Sequence, residues 1–242
     1  MSQKPLGGKV AVVTGAGRGI GRAIARAYAE AGASLCCAAR TQAELDEGVA
    51  EIRSRGGSAI AARTDVTDLE AVERMFRDAA EAFGGIDIVV INAGGSDEPS
   101  PVAESDPAAW RATLDLNLVG AYYCARASIP HLRTRGAGKI ITVGSGLGHR
   151  GTPGSSAYAC SKAALWMLTR VLAQELREEN ISVNELIPGP VHTARAGAPA
   201  GARFEGEWLK APEDVAPLAL FLATQPDAGA TAQSFSLMRR DG

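Results

Sequence analysis

The segment Thr14-Gly15-Ala16-Gly17-Arg18-Gly19-Ile20-Gly21 decides the fold of this chain. It joins a β-branched run at residues 9–13, which is typical of a strand, to a helical pattern at residues 19–31. Glycines at such a junction let the backbone turn sharply and approach a phosphate group, whose charge is met by the helix N-terminus. A tight turn that binds nothing is the alternative, but the flanking strand and helix favour a dinucleotide-binding loop. No Gly-Lys-Ser/Thr ending follows, which excludes the phosphate loop of NTPases.

The rest of the chain continues the alternation of strands and helices. A helix is predicted to begin at Thr67, because Thr67 and Glu70 form a T-x-x-E capping box. The alternation implies a parallel sheet covered by helices on both faces, that is, a doubly wound α/β Rossmann fold. We expect a single dinucleotide-binding catalytic domain over residues 1–242, with a short substrate lid at about residues 194–210. The other predicted strands are 34–39, 59–63, 86–91, 139–143, 181–187 and 231–235, and the other predicted helices are 42–55, 106–135 and 156–180.

Composition and charge exclude several classes of protein. The 242 residues are 46% hydrophobic and carry a net charge of -2, which argues against disorder and against a broad nucleic-acid-binding surface. No uncharged apolar run reaches the roughly 18 residues of a membrane span. Residues 1–9 lack the apolar stretch of a secretory signal, so we expect a cytoplasmic protein. The 4 cysteines form no C-x-x-C and the 3 histidines lack metal-ligand spacing, so we expect reduced, mostly buried thiols and no metal site.

The end of the second predicted strand indicates which dinucleotide binds. An acidic residue there would hydrogen-bond a ribose 2′-hydroxyl and repel a 2′-phosphate, but this chain has Ala39, followed by Arg40 and Thr41. Arg18 of the glycine loop can reach the same phosphate. Two guanidinium groups and no carboxylate favour NADP(H). NAD(H) stays possible, with Arg40 as a solvated loop charge.

A tyrosine and a lysine stand four residues apart on the helix predicted at 156–180. Tyr158 and Lys162 therefore share one helix face, where an ammonium stabilises a neighbouring phenolate and makes the tyrosine a better acid/base. Ser145 follows the strand at 139–143, so it should lie at the same rim of the sheet as the glycine loop, with its hydroxyl near a substrate oxygen. The ordinary alternatives are a surface lysine with its stem packed down and a serine in a glycine-rich turn.

The T-G-x-x-x-G-x-G loop and the Ser…Tyr-x-x-x-Lys set together resemble the classical short-chain dehydrogenase/reductases, especially those like 3-oxoacyl-carrier-protein reductase. The resemblance covers nearly the whole chain. It implies hydride transfer between a nicotinamide and a carbonyl carbon, with Tyr158 as the acid/base, Lys162 on the nicotinamide ribose and Ser145 polarising the carbonyl. By the same resemblance Asn117, in Leu116-Asn117-Leu118-Val119-Gly120, holds a proton-relay water.

Further motifs agree in order with that family. Asp65-Val66 resembles the pair beside the adenine, and Asn92-Ala93-Gly94 resembles the N-N-A-G turn, with Ile91 in place of the first asparagine. Pro188-Gly189 begins a P-G-x-x-x-T segment, in which the resemblance places Val191 and Thr193 at the nicotinamide carboxamide. The expected cofactor contacts are Gly15, Gly17, Arg18, Gly19, Ile20, Arg40, Thr41, Asp65, Val66, Asn92, Ala93, Gly94, Tyr158, Lys162, Pro188, Gly189, Val191 and Thr193.

The substrate is poorly encoded. The resemblance favours reduction of a small keto or 3-oxoacyl substrate by a homotetramer that associates through the helices at 106–135 and 156–180. A catalytically silent NADP(H)-binding regulator is the alternative, and a methyltransferase on a similar sheet is less favoured because it does not need the tyrosine–lysine pair. The tail at residues 237–242 departs from the acidic-glycine ending common in the family. The candidate pocket residues are Gly95, Ser96, Gly146, Leu147, His149, Tyr158, His192 and residues 194–208.

Overall fold

The computed structural model describes residues 4–96, 99–192 and 208–238. Its centre is a sheet of seven strands in the order β3-β2-β1-β4-β5-β6-β7, and every neighbouring pair is parallel. The chain is a single α/β domain with a doubly wound Rossmann fold, as predicted. The strands are β1 (Val10–Thr14), β2 (Ser34–Ala39), β3 (Ser58–Arg63), β4 (Ile88–Ile91), β5 (Gly138–Val143), β6 (Ile181–Ile187) and β7 (Ser234–Ser236).

Seven α-helices cover the two faces of the sheet in the described part of the chain. A π-helical turn, Asp115–Val119, joins the fourth helix to the fifth, so the region predicted as one helix over 106–135 is interrupted. The helix predicted to reach residue 180 ends at Glu175, and a short 3-10 turn, Arg177–Glu179, follows. The helices are α1 (Gly19–Glu30), α2 (Gln42–Ser54), α3 (Leu69–Phe83), α4 (Pro107–Leu114), α5 (Gly120–Arg135), α6 (Ser156–Glu175) and α7 (Ala216–Ala223).

The central strands β1, β4 and β5 are buried along their whole length because both of their faces are covered. Within β1, Ala11 and Val13 pack into the layer under α1, α2 and α7, whereas Val12 packs into the layer under α3, α5 and α6. Full burial of a side chain such as Val13 stabilises the fold by roughly 1.5–3 kcal/mol. Tyr28 is fully buried between α1 and α7, where its hydroxyl donates a 2.7 Å hydrogen bond to the Ala219 carbonyl.

The strand order reverses beside β1, which pairs with β2 on one side and with β4 on the other. Ligands of open α/β sheets bind at such a switch point, outside the carboxyl ends of the strands. The segments that follow β1, β4, β5 and β6 all leave the sheet at this edge. The topology therefore brings together the four stretches of sequence that carry the predicted site.

The predicted helix start at Thr67 is wrong. Asp68 is the N-cap of α3, and its side chain accepts a 3.2 Å hydrogen bond from the Ala71 backbone N–H. The Thr67 hydroxyl donates instead to the Asp65 carboxylate at 2.8 Å. An aspartate next to a threonine is an equally good cap, and here the threonine is held by another partner.

The cysteine side chains are mostly buried, as predicted. Three of the four cysteines are buried and Cys160 is exposed. Most of the expected lid lies outside the described residues. Lys210, at the end of the expected lid, forms an isolated β-bridge with Val191. No helix in residues 4–96, 99–192 and 208–238 combines the length and the apolar character needed to cross a bilayer.

Candidate active site

The glycine loop after β1 has the shape of an anion cradle. Gly15 has a φ of +66°, and a Cβ at Gly21 would lie 2.3 Å from the Gly15 carbonyl oxygen, so both positions require glycine. Arg18 is the N-cap of α1 and makes no side-chain capping hydrogen bond, so no side chain caps the first amides of this helix. Amides at a helix N-terminus attract an anion, and the loop therefore fits a pyrophosphate.

A turn after β4 braces this loop from the side. The Thr14 hydroxyl accepts hydrogen bonds from the backbone N–H groups of Asn92 and Ala93, both at 3.0 Å. The Asn92 amide donates to the Thr14 carbonyl at 2.8 Å. The predicted Asn92-Ala93-Gly94 motif thus holds β4 against the end of β1, although Ile91 replaces the first asparagine of the motif.

A groove with a volume of about 360 Å³ runs from the glycine loop to α6. Its lining has the composition that a dinucleotide requires, with a glycine cradle, Arg18 and Arg40 near the end of β2, and Lys162 on α6. Gly189 lines the neighbouring cavity instead, Val191 packs against the core in the described part of the chain, and Thr193 lies outside the described residues. The predicted contacts that line the groove are Gly15, Gly17, Arg18, Gly19, Ile20, Arg40, Thr41, Asp65, Val66, Asn92, Ala93, Gly94, Tyr158, Lys162 and Pro188.

A carboxylate that the sequence reasoning missed lies at the arginine end of the groove. Glu44, in the first turn of α2, is 3.6 Å from the Arg18 guanidinium, and a Cβ at Gly17 would lie 2.8 Å from its carboxylate. The expectation of two guanidinium groups without a carboxylate is therefore wrong as a description of this end. The signal for it is an acidic residue in the first helical turn after Arg40 and Thr41, which lies beyond the strand end that usually distinguishes the two cofactors.

Helix α6 places a phenol and an ammonium side by side. The Lys162 ammonium lies 5.7 Å from the centre of the Tyr158 ring and donates a 2.8 Å hydrogen bond to the Val143 carbonyl. Lys162 is only 4% exposed. Ser145 follows β5 at the same rim, where its hydroxyl accepts a 3.2 Å hydrogen bond from the Leu147 N–H.

Burial dominates the protonation of this pair. It raises the pKa of Tyr158 above its usual value, and a hydrogen bond with the Ser145 side chain lowers that pKa by a smaller amount. Burial also lowers the pKa of Lys162 to about 8, against the opposing effect of the Glu185 carboxylate. Burial thus opposes the ionisation of both groups, whereas the sequence predicts a phenol made more acidic by the lysine charge.

Asn117 lies in the π-helical turn and is buried. Its amide nitrogen donates to the carbonyls of Gly95 at 2.7 Å and Thr113 at 2.9 Å, and its amide oxygen accepts from the Gly95 N–H at 3.0 Å. A Cβ at Gly94 would lie 2.6 Å from that oxygen and 3.4 Å from the Lys162 ammonium. The turn therefore locks the loop after β4 against the lysine, and π turns of this kind are frequent at functional sites.

A second cavity, of about 420 Å³, opens beside the groove. Of the predicted pocket residues, Ser96, Gly146, Leu147 and Tyr158 line it, whereas Gly95 lines the groove. His149 turns inward to Glu185, and His192 is exposed. The cavity also has walls that were not predicted. They come from Pro99, Ser100, Ser105, Asp106, Ala109, Trp110, Thr113, Gly154, Ser155, Ser156, Ala157, Pro190 and Met238.

Comparison with known proteins agrees with this geometry. Residues 9–200 match the family model described as short chain dehydrogenase. The chain belongs to the short-chain dehydrogenase family. It is therefore an NAD(P)-dependent oxidoreductase with a small-molecule substrate.

Individual members of the short-chain dehydrogenase family match over nearly the full chain. A short-chain type dehydrogenase/reductase from Picea abies is 39% identical, with 94% of this chain and 90% of that protein covered. A cis-4-hydroxycyclohexanecarboxylate dehydrogenase from Sinomonas cyclohexanicum is 38% identical, with 89% of each covered. The crystal structure of a short-chain type dehydrogenase/reductase from Mycobacterium marinum has a TM-score of 0.90 at 34% identity, over 96% of this chain and 94% of that one.

Proposed function

We propose that this protein transfers a hydride between NADP(H) and a small ketone or secondary alcohol, with Tyr158 as the acid/base. One observation carries the proposal: Tyr158 lines both the dinucleotide groove and the second cavity, a property that it shares only with Ser96 among the described lining residues. A proton donor at the junction of two cavities can serve a substrate in one while a cofactor occupies the other.

The nicotinamide supplies or accepts the hydride when the cofactor is bound. Tyr158 donates its phenolic proton to the carbonyl oxygen, and Ser145 stabilises the charge that develops on the same oxygen. Lys162 holds the nicotinamide ribose and keeps a positive charge beside the phenol. Asn117, which fixes the loop after β4, holds the relay water that returns a proton to this site.

Tyr158 carries its proton and Lys162 its charge at neutral pH. Because burial raises the pKa of Tyr158, the phenol keeps its proton and is ready to donate it. Burial lowers the pKa of Lys162 to about 8, so the ammonium form dominates below that pH and is lost above it. Cells keep the NADP(H) pool reduced, so ketone reduction is the proposed working direction.

The arginine end of the groove supports NADP(H) over NAD(H). Ala39 leaves no carboxylate at the end of β2, and Arg18 and Arg40 both line the groove there. Glu44 opposes this preference, since it pairs with Arg18 and adds a negative charge. NAD(H) is consequently accepted more weakly rather than rejected.

The second cavity supports a compact substrate. Its described walls carry serines and apolar side chains such as Trp110 and Met238, and they include no lysine, arginine or histidine. The Sinomonas relative is named for a ring-bound secondary alcohol. We propose a small keto compound, cyclic or branched, as the first choice and a 3-oxoacyl compound as the second, with residues 194–210 as the lid.

A homotetramer in the cytoplasm is the proposed form of the enzyme. Three apolar side chains on α5 and α6 are between 42% and 49% exposed in the single chain: Tyr122, Met167 and Val171. Their burial against other copies would remove apolar surface from water. Light scattering coupled to gel filtration measures the number of copies directly.

The function is tested with a panel of ketones and both reduced cofactors. The full-length protein is mixed with cyclic ketones, branched ketones and 3-oxoacyl thioesters, and the loss of reduced nicotinamide is followed by its absorbance. Turnover that is faster with NADPH supports the proposal. Tight NADPH binding without turnover of any ketone would instead identify a regulator that senses the dinucleotide.

A further inference from the structure

A buried carboxylate lies behind the active site and has no part in the proposed chemistry. Glu185, in the middle of β6, has a side chain that is only 1% exposed. Its carboxylate accepts a 2.5 Å hydrogen bond from the Ser234 hydroxyl and a 3.0 Å hydrogen bond from the His149 imidazole Nε2. A buried charge is costly unless it is paired, so its presence at this position needs an explanation.

Glu185 contacts both ends of the segment that carries Ser145. At one end, a Cβ on Gly144 would lie 1.9 Å from the Glu185 carboxylate, so only glycine lets the backbone pass over it. At the other end, the carboxylate pairs with the His149 ring. Two backbone turns precede that ring: the Gly148 N–H donates to the Ser145 carbonyl at 2.9 Å, and the His149 N–H donates to the Gly146 carbonyl at 3.1 Å. The carboxylate thus ties the segment at residues 144–149 to the sheet.

The same cluster contacts the helix that carries the acid/base. The His149 ring packs edge-on against Trp166 at 5.2 Å, and Trp166 is one helical turn beyond Lys162 on α6. A Cβ on Gly148 would lie 2.8 Å from the Lys162 backbone. Movement of the segment would therefore disturb the helix at Lys162 as well as Ser145.

Charge gives a second link between Glu185 and the site. Lys162 is a buried ammonium, and Glu185 is the carboxylate whose field opposes the loss of its proton. Among the described residues, the titratable groups that interact with Glu185 are His149 after β5 and Lys162 of α6. Strand β7 presents the neutral hydroxyl of Ser234.

We propose that Glu185 is a positioning residue of the active site, which packs under one end of the segment at residues 144–149, hydrogen-bonds the other end, and serves as the buried counter-charge of the Lys162 ammonium. The proposal rests on the proposed function, because Ser145 and Lys162 matter to turnover only if the protein reduces a carbonyl. Glutamine at position 185 would keep the shape of the side chain and remove its charge. Loss of the Ser234 hydroxyl would instead remove one hydrogen bond to Glu185 and leave the charge in place.

The test compares three variants of the full-length protein. Glu185→Gln removes the charge, Ser234→Ala removes one hydrogen bond and keeps the charge, and Glu30→Gln is the matched control at an exposed ion pair on α1. The readouts are hydrogen–deuterium exchange of the segment at residues 144–149, NADPH affinity, and the pH profile of ketone reduction.

For Glu185→Gln we expect exchange in that segment to rise by about threefold or more. We expect kcat for ketone reduction to fall roughly tenfold, because Ser145 is misplaced. The alkaline fall in activity should move to lower pH by about half a unit or more, since Lys162 loses its proton earlier without the nearby anion. Ser234→Ala should raise exchange in the segment and leave the pH of the alkaline fall in activity unchanged. Glu30→Gln should change neither the exchange nor that pH.

Wild-type exchange and a wild-type pH profile in Glu185→Gln would overturn the proposal. Should Glu185→Gln fail to fold, His149→Gln and Ser234→Ala each remove one tie, and wild-type exchange in both would overturn it equally. Failure of the proposed function is distinguishable: the wild-type protein would then reduce no ketone, while the exchange measurement still reports whether Glu185 holds the segment.

Discussion

The two ends of the active-site crevice are built in different ways. The cofactor end is made from short contiguous turns, such as the glycine loop and the Asn92-Ala93-Gly94 turn, and is braced by backbone hydrogen bonds to Thr14. The substrate end takes its walls from segments far apart in the chain, including Trp110 of α4 and Met238 of the tail. Backbone shape therefore forms the groove proposed for the dinucleotide, whereas side chains from scattered segments form the cavity proposed for the substrate.

Tyr158 belongs to both ends, so its loss should have the largest effect. We expect Tyr158→Phe to lower kcat by about 10²–10⁴-fold, because the proton donor is removed and the ring is kept. The dissociation constant for NADPH, measured by fluorescence titration, should stay within about twofold, because the ring still lines the groove. Substantial residual turnover would show that another group supplies the proton.

Gly21→Ala should damage the cofactor end alone. The added Cβ would lie 2.3 Å from the Gly15 carbonyl oxygen, and overpacking of this kind costs about 1–3 kcal/mol. NADPH should therefore bind roughly tenfold or more weakly. Gly151→Ala is the control, since a Cβ there meets nothing within 4 Å. Equal NADPH affinities of the two variants would show that the glycine loop accommodates a Cβ at residue 21.

Opposite changes at the arginine end should shift the cofactor preference in opposite directions. Arg40→Asp should weaken NADPH binding by about tenfold or more relative to NADH, through loss of a charged contact and repulsion of the 2′-phosphate. Glu44→Gln should strengthen NADPH binding by a few-fold, because it frees Arg18 from its ion pair. Titration of both cofactors against both variants measures the shift, and unchanged ratios would remove the NADP(H) assignment.

Met238→Ala should have the smallest effect and should be confined to the substrate end. A Cβ on Gly146 would lie 2.2 Å from the Met238 sulfur, which shows how closely the tail packs on the cavity wall. Bulkier ketones should gain up to roughly tenfold in kcat/KM, because the cavity is enlarged. Met238→Leu, with a similar volume, should leave the ranking of ketones unchanged. A change in NADPH affinity instead would place Met238 at the cofactor end.

The fold is confirmed, and most of the predicted cofactor contacts lie along one groove, because the sequence signals for both are local. The run Ile140-Ile141-Thr142-Val143 is apolar since both faces of β5 are covered, and the glycine loop shows its function within eight residues. The wrong start of α3 has an equally local cause: Thr67 and Asp68 are both good caps, and only the contact with Asp65 decides between them.

Tertiary placement accounts for what the sequence did not predict. Glu44 enters the groove because α2 turns its first residues back toward Gly17, and Met238 enters the cavity because β7 lies at the end of the sheet next to β6. Neither residue belongs to a local motif. His149 was expected at the pocket, but its ring points to Glu185, a partner 36 residues away that a pattern search along the chain does not connect with it.

The π turn at Asp115–Val119 changes the direction in which α4 and α5 present their side chains. Successive residues of a regular α-helix advance by about 100°, so one additional residue in a wider turn rotates everything upstream by about that angle. Helix α4 can thus direct Trp110 to the substrate while α5 directs Cys124 into the core beneath the sheet. Deletion of a single residue from this turn would swing α4 out of phase with α5 and dismantle the substrate wall, and it would also release the Asn117 hydrogen bonds that hold the loop after β4.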